Sequence, residues 1–224
     1  MGATGYAYDL ARQFALKVVE PRPALVPLTL GGEETLFRSL SGVASEVVAR
    51  AGKTRFREAA LFTHRGLSGP AILQVSSYWR HGEAIGIDFL PDCAPDWLVA
   101  LKRSAPRTSV RRALGQHLPD RLAETLAERL ALPAELGAAT DKLLAAAQGR
   151  LADWTFHPNG SEGYAKAEVT VGGVSTAGLS SRTMEAKAVP GLHFVGEAVD
   201  VTGWLGGYNF QWAWASGRAA GEAV

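Results

Sequence analysis

Between residues 202 and 209 the chain reads Thr202-Gly203-Trp204-Leu205-Gly206-Gly207-Tyr208-Asn209. Paired glycines let a backbone approach a ligand with no Cβ in the way. Before this turn stands a short apolar run, Gly191-Leu192-His193-Phe194-Val195-Gly196, expected as a buried strand; after it a helix is expected from about Tyr208 to Ala223. Strand, Gly-rich turn and helix N-terminus form the arrangement in which an α/β sheet holds an anionic or polar ligand, because unpaired N–H groups and the helix dipole face it. The plainer alternative is a tight turn whose glycines only satisfy strained dihedrals, and the residues alone leave both open.

The remaining reactive side chains do not assemble into a second site. His64 lies in the run Phe62-Thr63-His64-Arg65-Gly66-Leu67-Ser68-Gly69-Pro70, where a turn-stabilising hydrogen bond is the expected role. His193 falls within an apolar run and is expected to pack, while His81, His117 and His157 stand at no metal-ligand spacing, so no metal is assigned. Cys93 is the single cysteine, which excludes an internal disulfide, a thiolate zinc site within the chain and a CxxC redox pair. Lys102, Arg103, Arg107, Arg111 and Arg112 crowd one expected helical stretch; a solvated face is the reading preferred over a phosphate or nucleic-acid contact. Lys187 is expected in a salt bridge. Trp212 and Trp214 are expected in the core and Trp204 at the surface, and no side chain is singled out as a catalytic acid or base.

The elements that must position the turn follow from periodicity. Tyr6, Leu10 and Phe14 recur every four residues, one face of a helix over 5–16. Pro21, Pro23 and Pro27 then punctuate an extended stretch, Ala24 to Leu30, expected as an edge strand because proline cannot donate to a ladder. Val43 to Ala49 and Ile85 to Leu90 are β-prone, and a helix is expected from Pro70 to about Trp79, capped by Ser68 or Gly69. From Pro95 to Leu151, leucines at helical spacing divided by Pro106, Pro119 and Pro133 predict about four short helices. Trp154-Thr155-Phe156 and Tyr164 to Val171 have strand composition around Pro158-Asn159-Gly160-Ser161, and Asn-Gly predicts a hairpin, a reading preferred to a glycosylation site. The helix after residue 208, rich in Ala and Gly, is expected to be buried on most sides.

Composition bounds the function classes. With 224 residues, 47% of them hydrophobic, the chain can bury a core, which excludes wholesale disorder. A formal net charge of +1 argues against a general nucleic-acid binder, which needs a cationic surplus to displace counterions. No apolar run approaches the ~18 residues of a membrane span and the N-terminus has no signal-peptide pattern. The expectation is therefore a cytoplasmic protein with neither a membrane nor a nucleic acid as partner.

Several ordered motifs carry a resemblance. Phe62-Thr63-His64-x-Gly66-x-Ser68-Gly69-Pro70-Ala71-Ile72-Leu73-Gln74, Val169-Thr170-x-Gly172-Gly173-Val174, Thr183-Met184-Glu185-x-Lys187, Gly191-Leu192-x-Phe194-x-Gly196-Glu197 and Gly206-Gly207-Tyr208-Asn209 together resemble the BaiN/YhiN-like bacterial flavoproteins, over nearly the whole chain. The resemblance implies an FAD-dependent two-electron oxidoreductase, with NAD(P)H as electron donor and a small-molecule substrate. It also implies an α+β fold: a β-barrel-like insert domain with an inserted helical subdomain, flanked by remnants of a Rossmann-type FAD-binding domain. On this view 1–23 is one remnant, 24–92 with 153–175 the β-rich insert, 93–152 the helical subdomain and 176–224 the C-terminal FAD-binding segment. Gly196, Glu197 and Asp200 would lie near the ribityl and pyrophosphate. The N–H groups of Gly207, Tyr208, Asn209 and Phe210 would face the flavin pyrimidine edge, with Gly172, Gly173 and Val174 against the isoalloxazine.

One feature of that family is missing. The GxGxxG turn that holds the FAD pyrophosphate occurs nowhere in these residues, and Gly2-Ala3-Thr4-Gly5 resembles the segment that follows the family's first nucleotide-binding half. The expectation is a chain that binds FAD weakly or not at all unless an N-terminal half is supplied. A different class is also open: a non-enzymatic module whose end segment completes another polypeptide's sheet.

Overall fold

Alternation, proline placement and helical spacing set the elements, which a computed structural model describes over residues 4–224. In chain order they are α1 (Tyr6–Gln13) and β1 (Val18–Ala24), then β2 (Leu28–Thr29), β3 (Ala44–Ala51), β4 (Thr54–Phe62), β5 (Gly66–Ser68), α2 (Pro70–Ser76) and β6 (Ile85–Asp88). Four helices follow, α3 (Trp97–Ser104), α4 (Val110–Leu114), α5 (Asp120–Arg129) and α6 (Asp141–Ala152). The last elements are β7 (Trp154–Phe156), β8 (Gly160–Ser161), β9 (Val169–Val174) and α7 (Tyr208–Gly221). Their contacts separate two units: a continuous one, Pro27–Glu162, and a discontinuous one made of the described residues up to Val26 with Gly163–Val224.

The continuous unit carries an antiparallel sheet of seven strands in the order β7-β6-β3-β4-β5-β2-β8. In β3, Val47, Ala49 and Ala51 turn inward while Ala44 and Glu46 face water, the two-residue period of a strand with one buried face. Phe37, from the 3-10 turn Gly32–Leu40, stacks on Phe62 at 5.9 Å and meets Phe156 edge-on at 5.0 Å, geometries that aromatic quadrupoles favour. Gly69 is the N-cap of α2, and Pro70 takes the first-turn position where its missing N–H costs nothing.

The helices pack into the same core. Leu98, Leu114, Leu122, Leu126, Leu136, Leu144 and Leu151 are all fully buried there. Ser109 caps α4 by accepting from Arg112 N, and Thr140 caps α6 by accepting from Leu143 N. Buried Gln148 on α6 has both ends of its amide satisfied: Oε1 accepts from Leu98 N and Nε2 donates to Ala94 O, which fixes the start of α3 against α6.

In the discontinuous unit β1 and β9 pair antiparallel, from Val18 opposite Val174 to Ala24 opposite Val169. The register slips between Val19 and Arg22, where Pro21 offers no N–H to the ladder. Ala11, Val174, Leu179, Ala186, Phe194 and Val199 form this unit's own apolar cluster.

Four expectations are corrected, and one further is not shown. The stretch expected as one edge strand from Ala24 to Leu30 is divided between the end of β1 and the short β2, which belong to different sheets. Asn159-Gly160 does not turn a hairpin: Asn159 N donates to Thr29 O and Thr29 Oγ1 to Asn159 Oδ1, so β8 pairs with β2 while β7 pairs with β6. Residues 191–196 are not a strand. Among the described residues His193 alone of this run makes a bridge, antiparallel to Glu185, because no neighbouring strand extends the ladder. Remnants of a Rossmann-type parallel sheet are accordingly not seen, the single parallel pairing among the described residues being the Val174–Val199 bridge. Finally, α7 is not buried on most sides: only Ser216 and Ala220 are, and Trp214, expected in the core, is 68% exposed. Of the Gly2-Ala3-Thr4-Gly5 segment, Gly2 and Ala3 lie outside the described residues.

Candidate functional site at the start of α7

The turn singled out in the sequence opens onto a cleft. Glu197, Gly206, Gly207, Asn209 and Phe210 all line a cavity of about 500 Å³ within the discontinuous unit. Gly206 and Gly207 have φ of +115° and +91°, left-handed backbone in which a side chain is strained. A Cβ built on Gly207 meets nothing within 4 Å, so the backbone there is open to an approaching group. The turn is not filled by its own side chains: Trp204, Tyr208 and Phe210 are 53%, 61% and 67% exposed.

Asn209 explains how the turn holds its shape. Its Oδ1 accepts from Gly203 N at 2.8 Å and its Nδ2 donates to Gly203 O at 3.0 Å, clamping the loop onto the first turn of α7. Gly207 is the N-cap of this helix and supplies no side-chain cap. The first N–H groups of a helix have no partner within it, and together with the helix dipole they favour negative charge at this end.

Glu197 also lines the cleft, and its Oε1 accepts from Thr170 N at 2.5 Å. Tyr8 and Tyr164 lie close enough to feel its charge. Burial, then the Glu197 carboxylate, pushes the Tyr8 phenol above its usual range; burial does most of the same at Tyr164, with Arg22 opposing. Both phenols therefore stay protonated at neutral pH and act as donors or packing groups, not as bases.

The other predicted residues lie elsewhere. Gly172, Gly173 and Val174 are buried in β9 and do not line the cleft. Gly173 is hemmed in by its own chain, since a Cβ there would sit 2.6 Å from Ala198 O. Gly196 serves α7, its N donating to Ser216 Oγ and its O accepting from Trp212 Nε1. Asp200 N donates to Val174 O, which extends the pairing beyond β9, and Tyr208 faces a separate small hollow with Thr202, Gly203 and Trp204. Leu25 and Glu168, which nothing in the sequence singled out, also line the cleft, as do Val169 of the quoted motif and Trp212, for which a core position was preferred to a place beside the loop. Leu25 has φ +44°, a backbone state without a sequence signal in a leucine.

Of the histidines, His64 is exposed in a turn held instead by Thr63, whose Oγ1 accepts from the N–H groups of Arg65 and Gly66. His193 Nδ1 lies 2.8 Å from Thr183 O. Lys187 Nζ donates to Ala177 O. No cluster of three His, Cys, Asp or Glu suited to a metal is present among the described residues, and no helix among them is long and apolar enough to cross a membrane.

Comparison with known proteins places this architecture. A family profile described as "HI0933-like protein barrel and H2TH domain" matches residues 22–169. The chain is 49% identical, over 99% of its length, to a protein of Escherichia coli named ribosomal RNA dihydrouridine synthase, and 43% identical, over its whole length, to one of the same name from Haemophilus influenzae. It is 30% identical over its whole length to a 3-dehydro-bile acid delta(4,6)-reductase of Clostridium scindens. These matches cover 56%, 57% and 58% of the three relatives, so the chain spans a little over half the length of each.

Proposed function

The chain belongs to the HI0933-like barrel and H2TH family, and on that premise we propose that it forms the barrel, helical and C-terminal parts of an FAD-dependent oxidoreductase. The observation that carries this reading is the cleft at the start of α7, where Gly206 and Gly207 leave the backbone open and the helix N-terminus favours negative charge. When bound, flavin supplies two-electron chemistry. The chain's own part is to hold the pyrimidine edge at the N–H groups of residues 207–210 and to keep the loop in place through Asn209. Glu197 lines the same cleft, its carboxylate held by Thr170 N. A second polypeptide segment, corresponding to the rest of the longer relatives, would supply the dinucleotide grip that a GxGxxG turn provides.

For the substrate we propose uridine in RNA, on the strength of the two relatives above 40% identity that bear the name ribosomal RNA dihydrouridine synthase. The net reaction would saturate the C5–C6 bond of uracil with a hydride and a proton, two-electron chemistry of the kind a bound flavin would supply. This proposal sets aside the expectation, drawn from a net charge of +1, that no nucleic acid is a partner: net charge averages over the chain and conceals local surplus.

The flavin reading is tested by joining the chain to the N-terminal part of the Escherichia coli relative and recording the visible spectrum after purification. The joined protein is expected to retain stoichiometric flavin, and the 224-residue chain alone to be nearly colourless. A folded but colourless chimera would overturn the flavin assignment; a stoichiometrically yellow chain alone would overturn the need for a second half.

A further inference from the structure

We propose that the α3–α4 corner of the helical layer is the surface that docks the RNA backbone; this rests on the RNA reading above and assigns it a place on the molecule. Residues 97–119 hold Lys102, Arg103, Arg107, Arg111 and Arg112 and not one Asp or Glu. Three of these cations are drawn toward carboxylates from other helices. Lys102 Nζ lies 2.7 Å from Asp141 Oδ1, Arg103 reaches the other oxygen of the same group only at 3.5 Å, and Arg111 approaches Glu124 at 3.3 Å. Arg107 and Arg112 have no carboxylate partner among the described residues, and both are exposed.

These two arginines are also placed together. Arg107, Thr108, Ser109 and Arg112 line one open groove of about 670 Å³, so two arginines and two hydroxyl-bearing residues border the same space, with Ser109 Oγ also capping α4. Guanidinium matches a phosphate with paired N–H donors, and hydroxyls add contacts to phosphate or sugar oxygens. The patch contrasts with the cationic β3–β4 hairpin, where Arg50 and Arg57 are already engaged by Asp153 and Asp92 and where Glu46 and Glu58 share the same strands. A groove with two unengaged arginines and no carboxylate in its lining selects a polyanion over an acidic side chain, and a repeated phosphate backbone is the polyanion an RNA-modifying protein meets.

The test uses the 224-residue chain, a fluorescein-labelled RNA hairpin and fluorescence anisotropy over a salt series, which needs no flavin. Binding of the unaltered chain is expected to weaken steeply with salt. In the Arg107→Gln/Arg112→Gln variant, affinity at low salt should fall about tenfold or more and the log–log salt slope should drop by roughly 1 to 2, the loss of one or two phosphate contacts. Lys53→Gln/Arg55→Gln, on the β3–β4 hairpin, removes the same charge and should change affinity by less than about threefold, a diffuse-charge effect. Both variants alter exposed side chains, and circular dichroism is the check that they fold. Equal losses in the two variants, or none in the first, would overturn the docking surface while leaving RNA as the substrate. Failure of every form to bind the hairpin, or capture of phosphatidylserine vesicles in its place, would overturn both, and the visible spectrum of the chimera would still decide the flavin assignment separately.

Discussion

Asp88 closes β6 at a half-buried position, where its Oδ1 accepts from Leu90 N at 2.9 Å. Burial raises its carboxyl above the usual range. The Leu90 N–H and the Arg57 charge oppose that rise, while Asp153 and Asp92 add to it. A carboxyl whose pKa is higher folded than unfolded binds more protons in the native state, so stability falls as pH rises from the unfolded value through the folded one. Asp88→Asn keeps an oxygen for Leu90 N and removes that loss. The variant is expected to melt above the wild type at pH 7, by less than about 1 kcal/mol because water screens a partly exposed group. The difference should vanish below about pH 3, where Asp is largely protonated in both states. Thermal melts over a pH series check this, and a gain that persists at acid pH would point to some other cause.

At the scale of elements, β9 is held between two stretches of backbone: β1 pairs along one edge and residues 198–199 press on Gly173 from the other. Gly173 has φ +129° and no room for a Cβ. Gly173→Ala is expected to cost about 1–3 kcal/mol through backbone strain and displaced chain. Gly178→Ala, where a Cβ meets nothing within 4 Å, should stay within about 0.5 kcal/mol of the wild type. Urea midpoints separate the two, and an unshifted Gly173→Ala would show that the backbones can part at little expense. The same element shows what sequence could disclose. Strand composition was legible only from Tyr164 to Val171, whereas the strand runs from Val169 through Gly172 and Gly173 to Val174, and the reason for Gly173, a carbonyl from a segment 25 residues later, was not legible at all. The four helices were legible because leucine spacing and Pro106, Pro119 and Pro133 are local signals. The pairing of Asn159 with Thr29, 130 residues away, and the exposure of Trp214 on α7 depend on what lies beside each segment, which no local pattern encodes. The cleft itself was half legible: the glycines of the turn announced it, while Leu25, Glu168 and Val169 reach it only through the fold.

For the whole molecule, the division into a continuous unit and a unit made from two separated segments bears on how the chain is built. The continuous unit brings its own ends together, with Glu162 N donating to Pro27 O at 2.9 Å, and needs no residue outside 27–162 to complete its seven strands or its helical layer. The discontinuous unit must wait, because Val18 has no partner until Val174 exists. Contacts between segments so far apart carry a loop-closure cost that shrinks once the intervening residues have condensed. Pulse-labelled hydrogen exchange during refolding is expected to protect amides of β3 and β4 before those of β1 and β9, and simultaneous protection would show a single cooperative step. On the ribosome this asymmetry becomes a timetable: the barrel and helices can take shape while the tail is still being translated, and the first strand spends that interval as an unmatched edge, the part of a nascent chain a chaperone would be called on to shield.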